Sequence, residues 1–151
     1  MTSFRMTTQL NRSQILDFLR EHQVLTLAVA GPYAAAVFYA VDDELNLYFV
    51  TDSATRHGAA LSRESSVAGT IQRDRQNWQE IRGVQWTGQC ARLTGAERQA
   101  GWELYLKRFA FAGAPELGPA FAKVDLWKIT PDWIRLTDNG QGFGHKVEWT
   151  R

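Results

Sequence analysis

A short polar segment, residues 51–58, carries side chains that suit the binding of an anion. It leads from the apolar run Tyr48–Val50 into a stretch of helical composition. Backbone N–H groups at a helix start lack intrahelical acceptors, and the helix dipole there attracts negative charge. Arg56 can bind a phosphate through two parallel hydrogen bonds, and His57 can donate another. The side chains predicted to take part are Thr51, Thr55, Arg56 and His57.

The same segment is also compatible with a simpler structure. Thr55 is a good N-cap residue, so Arg56 and His57 can equally form the solvated first turn of an ordinary capped helix. Gly58 allows close backbone packing under either interpretation. From the residue types alone, both alternatives stay open.

Motifs that indicate other chemistries do not occur in the sequence. There is no Gly-x-Gly-x-x-Gly fingerprint, no phosphate-binding loop ending in Gly-Lys-Ser/Thr, and no Gly-x-Ser-x-Gly elbow. The three histidines, His22, His57 and His145, are far apart and lack the spacing of zinc ligands. We therefore predict neither a metal site nor hydrolase chemistry.

Hydrophobic periodicity predicts the helices that surround this segment. Ile15, Phe18 and Leu19 share one face of a helix near 11–22, which Asn11 can cap. The spacing of Trp102, Tyr105, Leu106 and Phe109 predicts a second long helix over 96–109. Shorter helical segments are expected at 56–62 and within 115–123.

Alternation of apolar and polar residues predicts six strands, over residues 24–30, 34–41, 44–51, 66–73, 84–93 and 124–136. Pro131 places the last strand at a sheet edge or at a bulge. The loop 74–83 holds Trp78, which would need a partner if it were exposed. This order predicts a mainly β, α+β fold in one domain: a six-stranded antiparallel split barrel with peripheral helices.

Composition limits the partners and the setting. Seventeen basic and sixteen acidic residues give a net charge of +1 without long basic runs, so nucleic acid and anionic membranes are not expected partners. Cys90 is the only cysteine, which rules out an intrachain disulfide and fits a reducing, cytoplasmic setting. Residues 1–10 lack the apolar core of a signal peptide, and the uncharged stretch 27–41 is shorter than the roughly 20 residues of a membrane helix.

In this order the residues resemble the FMN-binding split-barrel superfamily typified by pyridoxamine 5′-phosphate oxidase, over nearly the whole chain. In that family a strand ending in an aromatic residue and a Thr precedes a Ser or Thr, an Arg and a Lys that hold the FMN phosphate. The matching residues here are Tyr48–Thr51, then Thr55, Arg56 and His57. His57 stands where relatives have Lys, so its charge depends on pH.

The resemblance also implies further contacts to FMN. Backbone groups of the second strand would contact the flavin ring, and a Gln of the fifth strand would reach it. The flavin would lie at the interface of a homodimer, with a small molecule as substrate. The complete set of implied cofactor-binding residues is Ala36, Val37, Phe38, Tyr39, Val50, Thr51, Thr55, Arg56, His57, Gln85, Phe143 and Lys146.

The tail is the more specific match. Residues 138–146 resemble the ending of a small bacterial subgroup of this superfamily, whose chains end in Gly-Phe-Gly-x-Lys. Phe143 and Lys146 are implied contacts if the tail folds over the flavin. A loosely ordered terminus is the alternative.

Departures from the family bear on the reaction. True pyridoxamine phosphate oxidases carry an Arg and a Lys near the second strand, where 34–39 is uncharged, and an Arg-x-His element where this chain has Arg135-Leu136-Thr137. We therefore expect a flavin-dependent oxidoreductase acting on another small molecule. The alternatives are a haem-binding protein with His145 as axial ligand, a flavin-binding protein without activity, and the deazaflavin F420 as cofactor. Catalytic residues are not predicted.

Overall fold

A computed structural model describes residues 2–151 of the chain. Its helices are α1 (Thr2–Glu21), α2 (Arg56–Leu61), α3 (Gly95–Arg108) and α4 (Gly118–Phe121), with 3-10 turns at Ala110–Gly113, Pro115–Leu117 and Asn139–Gln141. Within the described residues, no helix is both long enough and apolar enough to cross a membrane.

The predicted start of α1 is wrong. The helix begins at Thr2, so Asn11 lies in its interior and donates a hydrogen bond to the Glu148 carbonyl at 3.1 Å. Residues 2–10 contain no Gly or Pro that would stop a helix. The hydroxyls of Thr7 and Thr8 bond back to carbonyls one turn earlier, as threonines inside helices do.

The described residues form eight strands where six were predicted. They are β1 (Val24–Val29), β2 (Tyr33–Phe38), β3 (Ala40–Val41), β4 (Leu47–Thr51), β5 (Ser66–Gln72), β6 (Arg82–Arg92), β7 (Asp125–Asp138) and β8 (Lys146–Thr150). The predicted strand 34–41 is divided because Tyr39 leaves the β1 ladder and its N–H donates to the Gln23 carbonyl. The second additional strand, β8, comes from the glycine-rich tail.

The predicted strand 44–51 is shorter because its first residues form a turn. The Asp42 carboxylate accepts hydrogen bonds from the N–H groups of Glu44 and Asn46, each at 2.9 Å. Leu45 between them has a φ of 64°, which is incompatible with extended backbone. The strand therefore begins only at Leu47.

The strands form one antiparallel sheet in the order β2-β1-β5-β6-β7-β4-β3, with β8 paired to the second half of β7. β2 and β3 stand at opposite ends of this order, yet only Tyr39 separates them in the chain. The sheet must therefore curl until its two ends meet. This is the predicted split barrel with peripheral helices, and the fold class is confirmed.

A bulge interrupts the ladder between β6 and β7. The register shifts between Thr87 and Gly88, opposite Pro131, which has no N–H to donate. A Cβ on Gly88 would lie 2.5 Å from the Thr130 carbonyl oxygen, so only glycine fits here. The predicted bulge is confirmed, whereas the alternative of an edge strand is wrong because β7 is paired on both sides.

Alternation along the strands separates a buried core from an exposed outer face. Trp86 and Ile134 point inward and are fully buried, and Gly69 gives the Trp86 ring room to lie against β5. We call the opposite side of β2, β1, β5 and β6 the outer face. One row of side chains in register across it is Ala36, Thr26, Thr70 and Gln85.

Candidate functional site

The segment that was predicted to bind phosphate, residues 51–58, leads from the end of β4 into α2, and we call it the phosphate turn. Thr51 is buried at the strand end, and the backbone carbonyl of Asp52 accepts the N–H of Thr55 at 3.0 Å and its hydroxyl at 2.7 Å. The Thr55 oxygen then accepts the Gly58 N–H at 3.1 Å and so caps α2. The cap that residue types suggested is present, and it fixes where Arg56 and His57 leave the backbone.

His57 is held by the threonine at the strand end. Its Nε2 lies 2.7 Å from the Thr51 hydroxyl, which is also 3.2 Å from the Thr55 hydroxyl. Burial lowers the pKa of His57 below its usual value, because desolvation disfavours the charged imidazole. Burial therefore favours the neutral ring, and Thr51 occupies one of its two nitrogens.

Tyr33, at the start of β2, contacts both Arg56 and His57. The Arg56 guanidinium carbon lies 4.4 Å from the centre of the Tyr33 ring, a cation–π distance. The His57 ring stacks on the same side chain with centroids 6.5 Å apart. No sequence pattern indicated Tyr33, because its proximity to α2 depends on the curl of the sheet.

The positive charge of Arg56 is uncompensated. Its side chain is exposed and, among the residues that the structure describes, forms no ion pair and no hydrogen bond. The first N–H groups of α2, those of Arg56 and His57, have no intrahelical acceptor. An exposed guanidinium thus lies near two backbone N–H groups that have no hydrogen-bond acceptor among the described residues.

β2 presents an open backbone edge beside this cation. It is the last strand of the sheet and pairs only with β1, so alternate N–H and C=O groups face away from the ladder. Of the residues implied as flavin contacts, Ala36 and Phe38 point to the outer face and Val37 points inward. Alternate residues of this stretch therefore present backbone N–H and C=O groups along one open edge.

Tyr39 and Val50 are placed differently. Tyr39 is buried, and its hydroxyl donates a hydrogen bond to the Leu19 carbonyl at 2.6 Å. Desolvation raises the pKa of Tyr39, so this phenol stays protonated and engaged. The Val50 side chain packs under α3, which leaves only its backbone to contact a ligand.

Gln85 lies exposed on the outer face, in the same row as Ala36. Three strand spacings separate the two residues, about 14 Å. One chain therefore places them on one surface without bringing them together. A ligand would have to lie across the sheet to touch both.

The tail is far from the phosphate turn within one chain. Thr51 pairs with Asp125 at one end of β7, whereas Lys146 pairs with Thr137, twelve residues further on. At ~3.3 Å per residue this separation approaches 40 Å. Phe143 is 83% exposed, and the tail forms a strand, so the loosely ordered terminus is wrong.

The chain matches one protein family over most of its length. Residues 12–138 match the family model described as pyridoxamine 5′-phosphate oxidase, and the chain belongs to this family. It is also 33% identical over 150 residues to a UPF0306 protein from Serratia proteamaculans, covering 97% of this chain and 99% of that one.

Solved structures show the same architecture at low sequence identity. A haem-binding protein from Mycobacterium smegmatis matches with a TM-score of 0.70 and 19% identity over 85% of this chain, which spans only 53% of that protein. A putative pyridoxamine 5′-phosphate oxidase from Listeria innocua matches with a TM-score of 0.64 and 22% identity, covering 83% of this chain and 96% of that one. At these identities the matches show the fold alone.

Proposed function

We propose that this protein binds FMN as a homodimer and acts as a flavin-dependent oxidoreductase on a small molecule. The observation that carries the proposal is the position of Arg56 and His57 at the start of the open edge of β2, with Tyr33 between them. FMN joins a phosphate to a flat ring with hydrogen-bonding edges. A free cation beside an unpaired strand edge matches both parts.

The donors of the phosphate turn are not equally available to bind a phosphate. Arg56 supplies the charge, and its fork geometry suits two phosphate oxygens. The Thr55 proton already goes to the Asp52 carbonyl, so this hydroxyl supports the turn and is not a free donor. Neutral His57 can offer one N–H and no charge. We expect weaker phosphate binding here than where a Lys stands in place of His57.

The outer face supports the proposed dimer. Its β1 and β2 side is lined by small exposed side chains, among them Ala28, Ala34 and Ala36. A second copy on this face would cover a ring that lies along β2. In a single chain the same ring would be open to water on one side.

When bound, FMN supplies hydride chemistry at its N5 atom. The protein residues would bind and orient the cofactor and exclude water from it. Arg135, in the segment where true B6 oxidases bind the substrate phosphate, lies 2.7 Å from Glu148 through Nη2 and 2.8 Å through Nε. Because this guanidinium is already paired, we propose a substrate other than pyridoxamine phosphate.

Titration of the protein with FMN tests the proposal. In the Arg56→Ala, His57→Ala double variant we expect affinity to fall by roughly 10- to 100-fold, since hydrogen bonds to a charged group contribute about 1.5–3 kcal/mol. Arg63→Ala is the matched control, because Arg63 is an exposed arginine just beyond α2. Equal affinities in wild type and double variant would refute the phosphate site.

Turnover separates an enzyme from a flavin carrier. Reduction of the FMN-loaded protein by NADH or NADPH, followed at the visible flavin band, should be faster than reduction of free FMN. An identical rate would favour the alternative of a flavin-binding protein without activity. The mass of the ligand released on denaturation distinguishes FMN from F420.

Haem is a second candidate ligand. Its support is His145, half-buried in the tail, whose imidazole makes no hydrogen bond with the described residues, together with the haem-binding neighbour from M. smegmatis. Imidazole is a common axial ligand of haem iron. A strong Soret band after haem is added, lost in His145→Ala, would favour this ligand over FMN.

A further inference from the structure

The contact between Tyr33 and Arg56 is the shortest of five arginine–aromatic contacts in the part of the chain that the structure describes. The guanidinium carbon of Arg56 lies 4.4 Å from the centre of the Tyr33 ring, whereas the other four distances lie between 5.1 and 6.0 Å. The face of an aromatic ring attracts a nearby cation through its quadrupole. Tyr33 therefore attracts the Arg56 charge more strongly than a ring at the longer distances would.

Arg56 has no other polar partner among the described residues. Three of the other arginines that contact rings, Arg82, Arg135 and Arg151, also bond to carboxylate or carbonyl oxygens. Arg56 is exposed and forms neither an ion pair nor a hydrogen bond. A long side chain without a partner keeps several rotamers, and a ligand that orders it must overcome that entropy. The Tyr33 ring is thus the contact that restricts the Arg56 guanidinium before a ligand binds.

Tyr33 is itself held in place by the barrel. It begins β2 and pairs with Val29 of β1. Its side chain is half-buried and packs against the hydrophobic core, on the same inward side of the strand as Val37. Close packing leaves a side chain in such a position little freedom to move. The ring therefore offers Arg56 a fixed surface beside the first turn of α2.

The contact with the ring leaves the hydrogen-bonding groups of Arg56 available. A guanidinium carries five N–H donors in a planar fork. None of those donors of Arg56 has an acceptor in the described part of the chain, so attraction to the ring competes with no existing hydrogen bond. Two parallel N–H groups can still bind two oxygens of one phosphate.

His57 depends less on the same ring. It also stacks on Tyr33, with ring centroids 6.5 Å apart and an angle of 16° between the ring planes. A second contact, from its Nε2 to the Thr51 hydroxyl at 2.7 Å, fixes the imidazole independently of Tyr33. Loss of the Tyr33 ring would therefore release Arg56 and leave His57 largely in place.

We propose that Tyr33 is a positioning residue that orders the Arg56 guanidinium for the binding of phosphate. The phosphate is that of FMN, so the positioning role rests on the proposed function. Tyr33 acts without touching the phosphate, because a cation that is ordered in advance loses less entropy when its ligand binds. The phosphate site then combines the phosphate turn with one side chain from β2.

Paired titrations with FMN and with riboflavin test the role of the ring. Riboflavin lacks the phosphate, so its affinity reports only on contacts to the rest of the flavin. Tyr33→Leu should lower FMN affinity by roughly 3- to 10-fold, the cost of ordering one long side chain, and should leave riboflavin affinity unchanged. Tyr33→Phe keeps the aromatic face and should bind FMN as the wild type does.

Three results of these titrations would overturn the positioning role. FMN affinity could be unchanged in Tyr33→Leu, or both flavins could be weakened equally, as expected if Tyr33 only maintains the shape of β2. Equal losses in Tyr33→Phe and Tyr33→Leu would show that the hydroxyl matters and the ring does not. Tyr33→Met takes the place of Tyr33→Leu if the latter does not fold by circular dichroism.

A double-mutant cycle measures whether Tyr33 acts through Arg56. In the Arg56→Ala background, Tyr33→Leu should cause no further loss of FMN affinity, because the side chain that Tyr33 positions is absent. The matched control background is Arg63→Ala, at an exposed arginine just beyond α2, where Tyr33→Leu should cost as much as in the wild type. Additive losses from Tyr33→Leu and Arg56→Ala would refute the positioning role.

Different results identify a failure of the positioning role and a failure of the proposed function. If Arg56→Ala lowers FMN affinity and Tyr33→Leu does not, the phosphate site stands and the positioning role is refuted. If Arg56→Ala binds FMN as the wild type does, the phosphate site is refuted, and the ligand-free protein tests the contact itself. There the ring current of Tyr33 should make the Arg56 Nε–H proton resonance differ between the wild type and Tyr33→Leu. Identical resonances would show that Tyr33 does not order Arg56.

Discussion

The two ends of the barrel differ in how their side chains are satisfied. At the phosphate turn, Thr51, Thr55 and His57 bond to one another, and only the Arg56 charge faces outward. At the opposite end, the Asn139 side chain donates a hydrogen bond to the backbone carbonyl of Trp78. The aromatic rings of Trp78 and Phe143 are exposed there. The first end offers one cation in a rigid polar frame. The second offers apolar area in an equally rigid frame.

This difference indicates what each end can bind. A cation with free backbone donors selects a small anion, because the attraction acts at short range and depends on geometry. Exposed rings select an apolar surface, because burial of area is favourable and weakly directional. The two ends of the barrel thus expose different chemistry, a cation at one end and apolar rings at the other.

Gly58→Ala should cause the largest loss of stability among the proposed variants, because it disrupts the phosphate turn. A Cβ there would lie 2.5 Å from the Asp52 carbonyl oxygen and 2.9 Å from the Ser53 Cα. We expect the free energy of unfolding in urea to fall by about 3 kcal/mol, as for overpacked sites. Gly118→Ala is the control, since a Cβ at that position would meet no atom within 4 Å and stability should hardly change. Equal stability of both variants would show that the turn is not tight.

Asn139→Ala should destabilise the opposite end of the barrel, with a smaller loss in the free energy of unfolding. It removes two hydrogen bonds that hold the Trp78 loop to the tail, which we expect to cost about 1–2 kcal/mol. Trp78 should become more mobile, measured as faster proteolysis near residue 78. Asn139→Asp keeps the acceptor for Gly144 and should lose less. FMN affinity should fall less than in the Arg56→Ala, His57→Ala variant, because the phosphate turn is untouched.

His57→Lys should strengthen the binding of FMN at the phosphate turn. A lysine would add a second positive charge beside Arg56, and we expect FMN affinity to rise about three- to tenfold, roughly 1 kcal/mol for a partly exposed charge. The increase should shrink at high salt, which screens exposed charges. A lower affinity at every salt concentration would mean that the Thr51 contact of the imidazole matters more than charge.

The pH dependence of stability should show the smallest effect. Because burial holds the pKa of His57 below its unfolded value of 6.5, the unfolded chain binds the proton more readily. The contribution of His57 to the free energy of unfolding is present above pH 6.5. It is lost as the pH falls through the pKa of His57 in the folded protein. His57→Gln should therefore lose less stability than wild type between pH 7 and 5 in urea titrations. Identical losses would contradict the burial of this ring.

Much of the fold could be predicted from local patterns. The α3 helix, the strand that carries Trp86 and the bulge at Pro131 all follow from periodicity or from the missing proline N–H. The start of α1 and the strand β8 could not be predicted this way. α1 continues through a polar stretch without a clear stop, and β8 is ordered by its pairing with β7.

The candidate site was predicted unevenly. Thr51, Thr55, Arg56 and His57 are close in sequence, so one turn brings them together, and local residue types were sufficient. Tyr33 was missed because more than twenty residues separate it from α2. Phe143 and Lys146 were assigned to the same site, although β7 places them at its other end. Their participation stays a prediction and requires a second copy.

The sequence by itself determined the elements whose cause is local: the capped turn with its cation, the alternating strands, and the family to which the chain belongs. Only the tertiary structure decided which surfaces stay open. The curl of the sheet sets Tyr33 against Arg56 and leaves one edge of β2 unpaired. It also puts two exposed apolar groups at the same end of the barrel without contact: Trp78 with Phe143, and Val24 with Phe38 and Phe111. Those relations depend on the distance between strands in space, which residue spacing in the chain does not encode.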